Sequence, residues 1–289
     1  MTPMEPPLTV LRTSQSTVMN GPGSKAGRRT MWTPDDSGDV VATVVEHGAG
    51  LPVVFLHGLV GLNEHWEGVV DRVKSRVRCI LFELPLLQMR GEDCSIHGVT
   101  RLTTQFLREY VAQPAVLVGN SFGGHVALRI ALEAPEVCRG LVLAGSSGLI
   151  EKSMVSDIQI RPSREWLVRK IGELFYDQSK MREADIDRAY RELSDRGGAR
   201  AMVKLSRSAR RDHLGDRIGD IRCPTLLVWG RNDIVTPPEA AEGFNRLIKG
   251  SRLVWFDNCG HAPMIEAADG FATALLEFAD ELTRASVGA

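Results

Sequence analysis

The chain of 289 residues lacks the features that mark membrane-spanning and nucleic-acid-binding proteins. No apolar run approaches the roughly 18 residues that a membrane-spanning helix requires. Lys and Arg number 35 against 36 Asp and Glu, and this balance provides no concentrated positive charge for neutralising phosphates. We therefore expect neither a membrane nor a nucleic-acid partner, whereas a homo-oligomer is compatible with the sequence.

Disulfide and metal-site patterns are missing as well. The five cysteines are odd in number and scattered, with no C-x-x-C pair, which is typical of reduced thiols and favours a cytoplasmic protein. The seven histidines show no metal-type spacing such as H-x-x-x-H. We expect no metal site and no cofactor. The cysteines are Cys79, Cys94, Cys138, Cys223 and Cys259.

Residues 1–38 lack the apolar periodicity of a folded segment. Prolines at five positions, together with many Ser, Thr and Gly residues, interrupt any helical or strand pattern, so this composition predicts a disordered leader. Its basic residues faintly resemble a transit peptide, but the apolar region of a secretory signal is missing. A start further along the chain, at Met19 or Met31, is an equal alternative.

Beyond the leader, short apolar runs alternate with amphipathic segments, the pattern of a parallel sheet with crossover helices. Strands are predicted near residues 40–46, 53–57, 77–82, 115–119, 140–144, 225–229 and 252–256. Helices are predicted near residues 63–74, 99–111, 122–133, 238–247 and 270–283. The charged, helical stretch 150–222 interrupts this alternation.

The most informative motif is the run Gly119-Asn120-Ser121-Phe122-Gly123-Gly124, which directly follows an apolar strand. G-x-S-x-G at a strand-to-helix turn is a nucleophile-elbow pattern. Its two glycines lack the Cβ atoms that would clash where the strand and the helix nearly touch. The motif therefore makes Ser121 the candidate nucleophile.

Two later strand ends offer the other groups that a serine nucleophile needs. Asp233 follows the predicted strand at 225–229, and His261 follows the strand at 252–256. A neutral imidazole has the right pKa to accept the serine proton, and a carboxylate can fix its tautomer. The loop after the preceding strand, at Gly145, carries no carboxylate, so Asp233 is the candidate acid. Cys259 has no elbow around it, and we interpret it as a packed thiol.

An oxyanion hole is expected from two backbone N–H groups. One belongs to Phe122, the residue after the serine, and the other to Leu59 in the loop that follows the strand at 53–57.

Together these segments resemble the α/β-hydrolase superfamily, and the likeness extends from about Val40 to about Leu282. The resemblance implies an α/β-hydrolase fold, in which a mostly parallel central sheet is flanked by helices. Residues 39–149 and 223–289 would form that core. The stretch 150–222 would be an inserted helical cap, a lid over the serine. His57 resembles the family's structural histidine, whose ring bonds neighbouring backbone.

Within the superfamily, G-N-S-F-G-G, W-G-x-x-D and C-G-H resemble the bacterial hydrolases that cleave meta-cleavage products of aromatic degradation, and also many esterases. Asn120 and the arginine-rich segment with Arg207, Arg210 and Arg211 support the first likeness, which implies that these residues bind substrate. Ala262 favours the esterases, because the carbon–carbon hydrolases typically carry a tryptophan directly after the catalytic histidine.

The sequence thus predicts a serine hydrolase that acts on a small, partly apolar carboxylic ester or related acyl substrate. Two alternatives stay open. One is a carbon–carbon bond hydrolase of 2-hydroxy-6-oxo-dienoate products, and the other is a catalytically silent ligand-binding protein on the same fold. The complete set of Ser121, Asp233 and His261 disfavours the silent protein.

Overall fold

The computed structural model describes residues 17–18, 24–33, 38–151 and 162–287. Across these ranges no helix combines the length and the apolar character needed to cross a membrane. The described residues form a nine-stranded sheet with the order β1-β2-β3-β5-β4-β6-β7-β8-β9. The strands are β1 Thr17–Val18, β2 Ser24–Thr33, β3 Gly38–His47, β4 Pro52–Leu56, β5 Arg78–Glu83, β6 Ala115–Asn120, β7 Cys138–Ala144, β8 Thr225–Gly230 and β9 Arg252–Phe256.

The sheet is antiparallel at one edge and parallel elsewhere. Strands β1, β2, β3 and β5 pair antiparallel in succession, whereas the pairs from β5 through β9 are parallel. The helices are α1 Glu67–Val73, α2 Ile96–Phe106, α3 Phe122–Glu133, α4 Arg164–Gly172, α5 Glu183–Ser194, α6 Arg196–Arg211, α7 Pro238–Leu247, α8 Pro263–Glu266 and α9 Ala268–Val287. This architecture is the α/β-hydrolase fold that the sequence predicts.

The core lies on both faces of the sheet. Helices α2, α3 and α7 cover one face and α1 and α9 the other. Strand β6 shows why its sequence is an unbroken apolar run: Leu117 packs towards the first layer, while Val116 and Val118 pack towards the second. A strand that is buried on both faces has no polar side to alternate with. The strands and helices predicted for the core are confirmed, with small differences at their ends.

The prediction of a disordered leader is wrong for residues 24–33. These residues form β2, which pairs along its whole length with β3, from Ser24 opposite His47 to Thr33 opposite Gly38. Met31 is buried in the core. The backbone ladder to β3 stabilises this strand, which has little apolar pattern of its own. Of the rest of the predicted leader, residues 1–16, 19–23 and 34–37 lie outside the described residues.

Helices α4, α5 and α6 lie between β7 and β8, in the segment in which a cap is expected, and this segment is called the cap below. Residues 152–161 of that segment lie outside the described residues. A small apolar cluster joins the three helices through Trp166, Leu193 and Met202, and Leu59 of the core packs against it. The Leu214 N–H donates to the Gly148 carbonyl at 2.9 Å, so the two ends of the segment meet beside the sheet.

Candidate active site

Ser121 stands at the turn between β6 and α3 in a strained conformation, with φ 53° and ψ −117°. Such a left-handed backbone is rare for a residue with a side chain. The flanking glycines explain how the chain makes this turn. A Cβ on Gly119 would lie 2.5 Å from the Gly123 carbonyl oxygen, and one on Gly123 would lie 2.3 Å from that of Leu56. The turn therefore has the strained backbone and the close strand–helix packing that a nucleophile elbow requires.

Asp233 and His261 form a hydrogen-bonded pair at the carboxyl ends of β8 and β9. The His261 Nδ1 donates to the Asp233 Oδ2 at 2.8 Å. The other carboxylate oxygen accepts the backbone N–H groups of Val235 and Thr236, at 2.8 and 3.0 Å, and the Thr236 hydroxyl donates to Oδ2 at 2.9 Å. With both oxygens bonded and the side chain buried, Asp233 holds the imidazole in one orientation.

The surroundings of His261 raise its pKa above the ordinary value. Burial alone lowers the pKa of the imidazole, but the charge of Asp233, its hydrogen bond and the more distant charge of Glu151 together outweigh that effect. The proton on Nδ1 faces Asp233, so the neutral imidazole has its lone pair on Nε2. His261 is therefore built to accept a proton at Nε2 and to carry the resulting charge.

Ser121 and His261 line the same cavity, which has a volume of about 180 Å³. Asp233 lies behind His261 and does not line it. The wall is mostly apolar, and the cap and the core both contribute to it. Apolar lining residues include Leu59, Trp166, Leu174, Phe175, Met202 and Met264. A serine, an imidazole and an apolar wall thus meet in one cavity.

The loop after β4 brings Leu59 to the cavity wall beside Ser121. A Cβ on Gly58 would lie 3.3 Å from the Ser121 Cβ, so only glycine allows this approach without displacing a neighbour. Phe122 begins α3 directly after Ser121, with its side chain in the core. Its N–H is therefore one of the first donors of a helix, at the positive end of the helix dipole.

His57 has the backbone bonds expected of a structural histidine. Its Nε2 accepts the Leu84 N–H at 2.9 Å, and its Nδ1 donates to the Gly58 carbonyl at 2.7 Å. The bond from the Leu84 N–H needs the neutral ring, because only an unprotonated Nε2 can accept. Burial lowers the pKa of His57 to about 4 despite the favourable bond to Gly58. The ring thus fixes the loop that carries Leu59.

Asn120 lines the cavity, but its amide nitrogen is occupied by the backbone. It donates to the Ala144 carbonyl at 2.9 Å and to the His261 carbonyl at 3.1 Å. Asn120 therefore connects the end of β6 to the histidine loop.

The three arginines predicted to bind substrate do not reach this cavity. Arg207 and Arg211 line a separate cavity of about 730 Å³ between α6 and the start of α2. Arg210 is exposed and lines neither cavity. The helical period explains the error, because α6 buries Met202, Leu205 and Ala209 on its inner side and the arginines lie on the outer side. Arg207, Arg210 and Arg211 are therefore not placed to bind a substrate in the cavity that Ser121 lines.

The cavity also contains a polar pair that sequence reasoning missed. The His65 Nε2 donates to the Asp185 Oδ2 at 3.2 Å, joining the core to α5 of the cap. Both residues line the cavity. They are 120 positions apart in the chain, and no local motif signals their contact.

Cys259 is unsuited to be a nucleophile. It is buried, and burial raises the pKa of its thiol to about 12, with a further contribution from the charge of Glu266. The reactive thiolate is therefore scarce at neutral pH. Within the ranges that the structure describes, no group of three His, Cys, Asp or Glu side chains is placed to hold a metal ion.

Comparisons with known proteins agree with the fold. A model of the alpha/beta hydrolase family matches residues 53–274. The chain is 27% identical over 244 residues to a pimeloyl-[acyl-carrier protein] methyl ester esterase from Nitrosomonas europaea, covering 78% of this chain and 94% of that protein. It is 28% identical over 269 residues to a 2-hydroxy-6-oxo-6-(2'-aminophenyl)hexa-2,4-dienoic acid hydrolase from Metapseudomonas resinovorans, covering 87% and 92%.

A similar solved structure is that of an alpha/beta hydrolase enzyme from a sediment metagenome of the Mar Chica lagoon, Morocco. The two share 32% sequence identity with a TM-score of 0.68, over 83% of this chain and 95% of the other.

Proposed function

Since this chain belongs to the alpha/beta hydrolase family, we propose that it is a serine hydrolase that cleaves a small, partly apolar carboxylic ester or related acyl substrate. The observation that carries the proposal is the placement of Ser121, at a strained elbow, and His261, held by Asp233, on one apolar cavity. A relative named as a methyl ester esterase supports the ester class.

The size of the cavity supports a small acyl group. Its volume of about 180 Å³ is below the roughly 300 to 1,000 Å³ of common small-molecule sites. The mostly apolar wall would bind an alkyl or aryl acyl chain, and the few polar groups near Ser121 would orient the carbonyl.

The proposed reaction runs in two halves. The Ser121 hydroxyl attacks the substrate carbonyl while the His261 Nε2 takes its proton, and Asp233 stabilises the imidazolium. The N–H groups of Leu59 and Phe122 stabilise the oxyanion. The imidazolium then protonates the leaving group, and an acyl group remains on Ser121. Water, deprotonated by His261, releases the acid in the second half.

Carbon–carbon hydrolysis of a dienoate is the second candidate. A relative named as a dienoic acid hydrolase favours it. Against it stand Ala262, which gives the cavity wall a methyl group, and the outward position of the cap arginines. Among the described residues, Lys170, bonded to Glu173, is a cation at the cavity wall that a substrate carboxylate would meet.

A fluorophosphonate probe tests the proposed function. We expect the folded protein to be labelled at Ser121, with labelling abolished in Ser121→Ala and strongly slowed in His261→Ala. Ser147→Ala is the matched control, because Ser147 is a buried serine near the elbow whose N–H bonds the Ser121 carbonyl. Folded protein without labelling would favour the silent ligand-binding alternative.

A further inference from the structure

The carboxylate of Glu266 binds two segments that the catalytic proposal does not explain. Its Oε1 accepts the backbone N–H groups of Tyr176 and Asp177, each at 2.9 Å. Its Oε2 accepts the N–H of Gly260 at 2.7 Å. Tyr176 and Asp177 belong to the cap loop 174–177 after α4, and Gly260 directly precedes His261. One side chain therefore connects the cap to the histidine loop.

The same two segments also meet without Glu266. The His261 N–H donates to the Leu174 carbonyl at 2.8 Å, so the cap loop bonds the backbone of the candidate base. The approach is tight, because a Cβ on Gly260 would lie 2.7 Å from the Leu174 oxygen and 2.9 Å from the Tyr176 nitrogen. Glycine at position 260 is thus required for this contact.

The cap loop in turn faces the substrate space. Leu174 and Phe175 line the cavity together with His261. A displacement of the cap loop would therefore change the cavity wall and the backbone that supports His261 together.

A carboxylate suits this connection because it is an acceptor with two oxygens and no N–H of its own. Hydrogen bonds from backbone N–H groups to an ionised carboxylate are stronger than neutral ones. No cation pairs with Glu266 in the part of the chain that the structure describes, and its partners there are the three backbone donors. Both carboxylate oxygens of Glu266 are therefore used in hydrogen bonds to backbone N–H groups.

We propose that Glu266 is a positioning residue for His261, fixing the cap loop and Gly260 so that the imidazole stays aligned between Asp233 and Ser121. This inference rests on the proposed function, in which His261 is the base. Through Glu266, the position of the cap loop and the orientation of His261 would depend on each other.

The test compares Glu266→Gln with wild type. Glutamine keeps one acceptor oxygen but turns an NH2 group towards backbone donors, so one of the two segments is released. We expect kcat to fall by about tenfold or more while KM stays within about threefold, because a small misalignment of a catalytic group affects the reaction step more than binding. Glu277→Gln, the same exchange at the exposed surface of α9, is the matched control.

A second readout does not depend on turnover. Asp233 and Glu151 are the charges that raise the pKa of His261, so a displaced imidazole loses part of that effect. An NMR titration of His261 should show a lower pKa in Glu266→Gln and no change in Glu277→Gln. Because Glu266→Gln also removes a charge, Gly260→Ala provides a variant that disturbs the same contact without changing any charge. It should lower the His261 pKa and kcat in the same direction.

The outcomes separate the two proposals. Lower kcat and a lower His261 pKa in both variants support the positioning role. A lower melting temperature with kcat and the His261 pKa unchanged would show that Glu266 only stabilises the fold, and this result would overturn the inference. The wild type could also show neither turnover nor labelling, while the His261 pKa is still lower in both variants than in the wild type. That result would overturn the proposed function and leave the role of Glu266 in placing His261 supported.

Discussion

His125 and Asp212 join α3, the helix that follows Ser121, to the end of α6 in the cap. The His125 Nε2 donates to the Asp212 Oδ2 at 2.9 Å, and Arg129, one turn further along α3, bonds the same carboxylate at 2.7 Å. His125 has no exposed surface. Burial raises the pKa of Asp212, but the bonds from His125 and Arg129 outweigh this effect and hold the pKa well below its usual range.

Asp212→Asn should therefore destabilise the protein by about 2 kcal/mol, since it removes one of the two carboxylates that pair with the buried Arg129, and Glu133, the other, is partly exposed. The stabilisation from Asp212 is present above the carboxyl pKa of the unfolded chain and is lost as the pH falls through the lower folded value. Urea unfolding at pH 7 and at about pH 2.5, which lies below the carboxyl pKa of the unfolded chain, measures both effects. Asp220→Asn is the control, because Asp220 is exposed and pairs with Arg222 only at 3.9 Å. Equal unfolding midpoints for the two variants would contradict the prediction.

The pH dependence of hydrolysis should report His261. Its pKa is raised above the ordinary 6.5, and only the neutral ring can accept the serine proton. Activity should therefore be lost as the pH falls through a midpoint above 6.5. Glu151→Gln should move this acid limb to lower pH, because it removes one of the charges that raise the pKa. The measurement is kcat/KM from pH 5 to 9, and a limb below 6 in the wild type would argue against His261 as the base.

Ser121 and His261 should act as a unit. Ser121→Ala, His261→Ala and the double variant should reach about the same residual rate, because losses within one proton-transfer device do not add. Steady-state rates on one ester, expressed per mole of folded protein, provide the comparison. Multiplying losses in the double variant would show that His261 does not serve Ser121. Asp233→Asn should also be severely impaired, since it disturbs the tautomer that the 2.8 Å bond selects.

Short p-nitrophenyl esters should be better substrates than dienoates. Ala262 lines the cavity with a methyl group, and a methyl group at this position offers less contact area to a dienoate than a large aromatic side chain would. We expect measurable ester hydrolysis, with carbon–carbon cleavage of phenyl- or alkyl-dienoates slower or undetectable. A kcat/KM on a dienoate at least a hundredfold above that on the best ester would reverse this ranking and direct attention to Lys170.

Because β2 pairs along its whole length with β3, we expect a truncation that removes it to destabilise the protein. Deleting residues 1–30 removes most of β2 and leaves β3 as an open edge, which exposes unpaired backbone groups. We expect a melting temperature lower by roughly 5 °C or more and a greater tendency to aggregate. Deleting residues 1–16, which leaves β2 in place, is the control. Two truncated proteins of equal stability would show that β2 contributes little.

The sequence predicted those features whose residues lie close together in the chain, and it did not predict contacts between distant segments. The run at β6 shows burial on both faces, and the glycines around Ser121 specify a close turn within a few residues. Strand β2 has no such signal, because its stability comes from pairing with β3. The contacts of Glu266 with Tyr176 and of His65 with Asp185 join positions 90 and 120 apart, and residue type alone cannot reveal them. The cap arginines were predicted to bind substrate from their residue type. The helical period of α6 places them on the outer side, away from the cavity.

The bond between Leu214 and Gly148 has a consequence for how this protein could diversify. Because the segment between these residues leaves the sheet and returns to it at neighbouring points, its length and sequence are not constrained by the spacing of the strands on either side. An exchange of the whole segment for one of different shape would leave Ser121, Asp233 and His261 in the chain, because all three lie outside the segment. It would break the contact with Glu266 unless the incoming segment offered backbone donors in the same place. When the cap of a relative replaces this segment, the activity of the hybrid should therefore depend on whether the new cap bonds Glu266, and not on the length of the inserted segment.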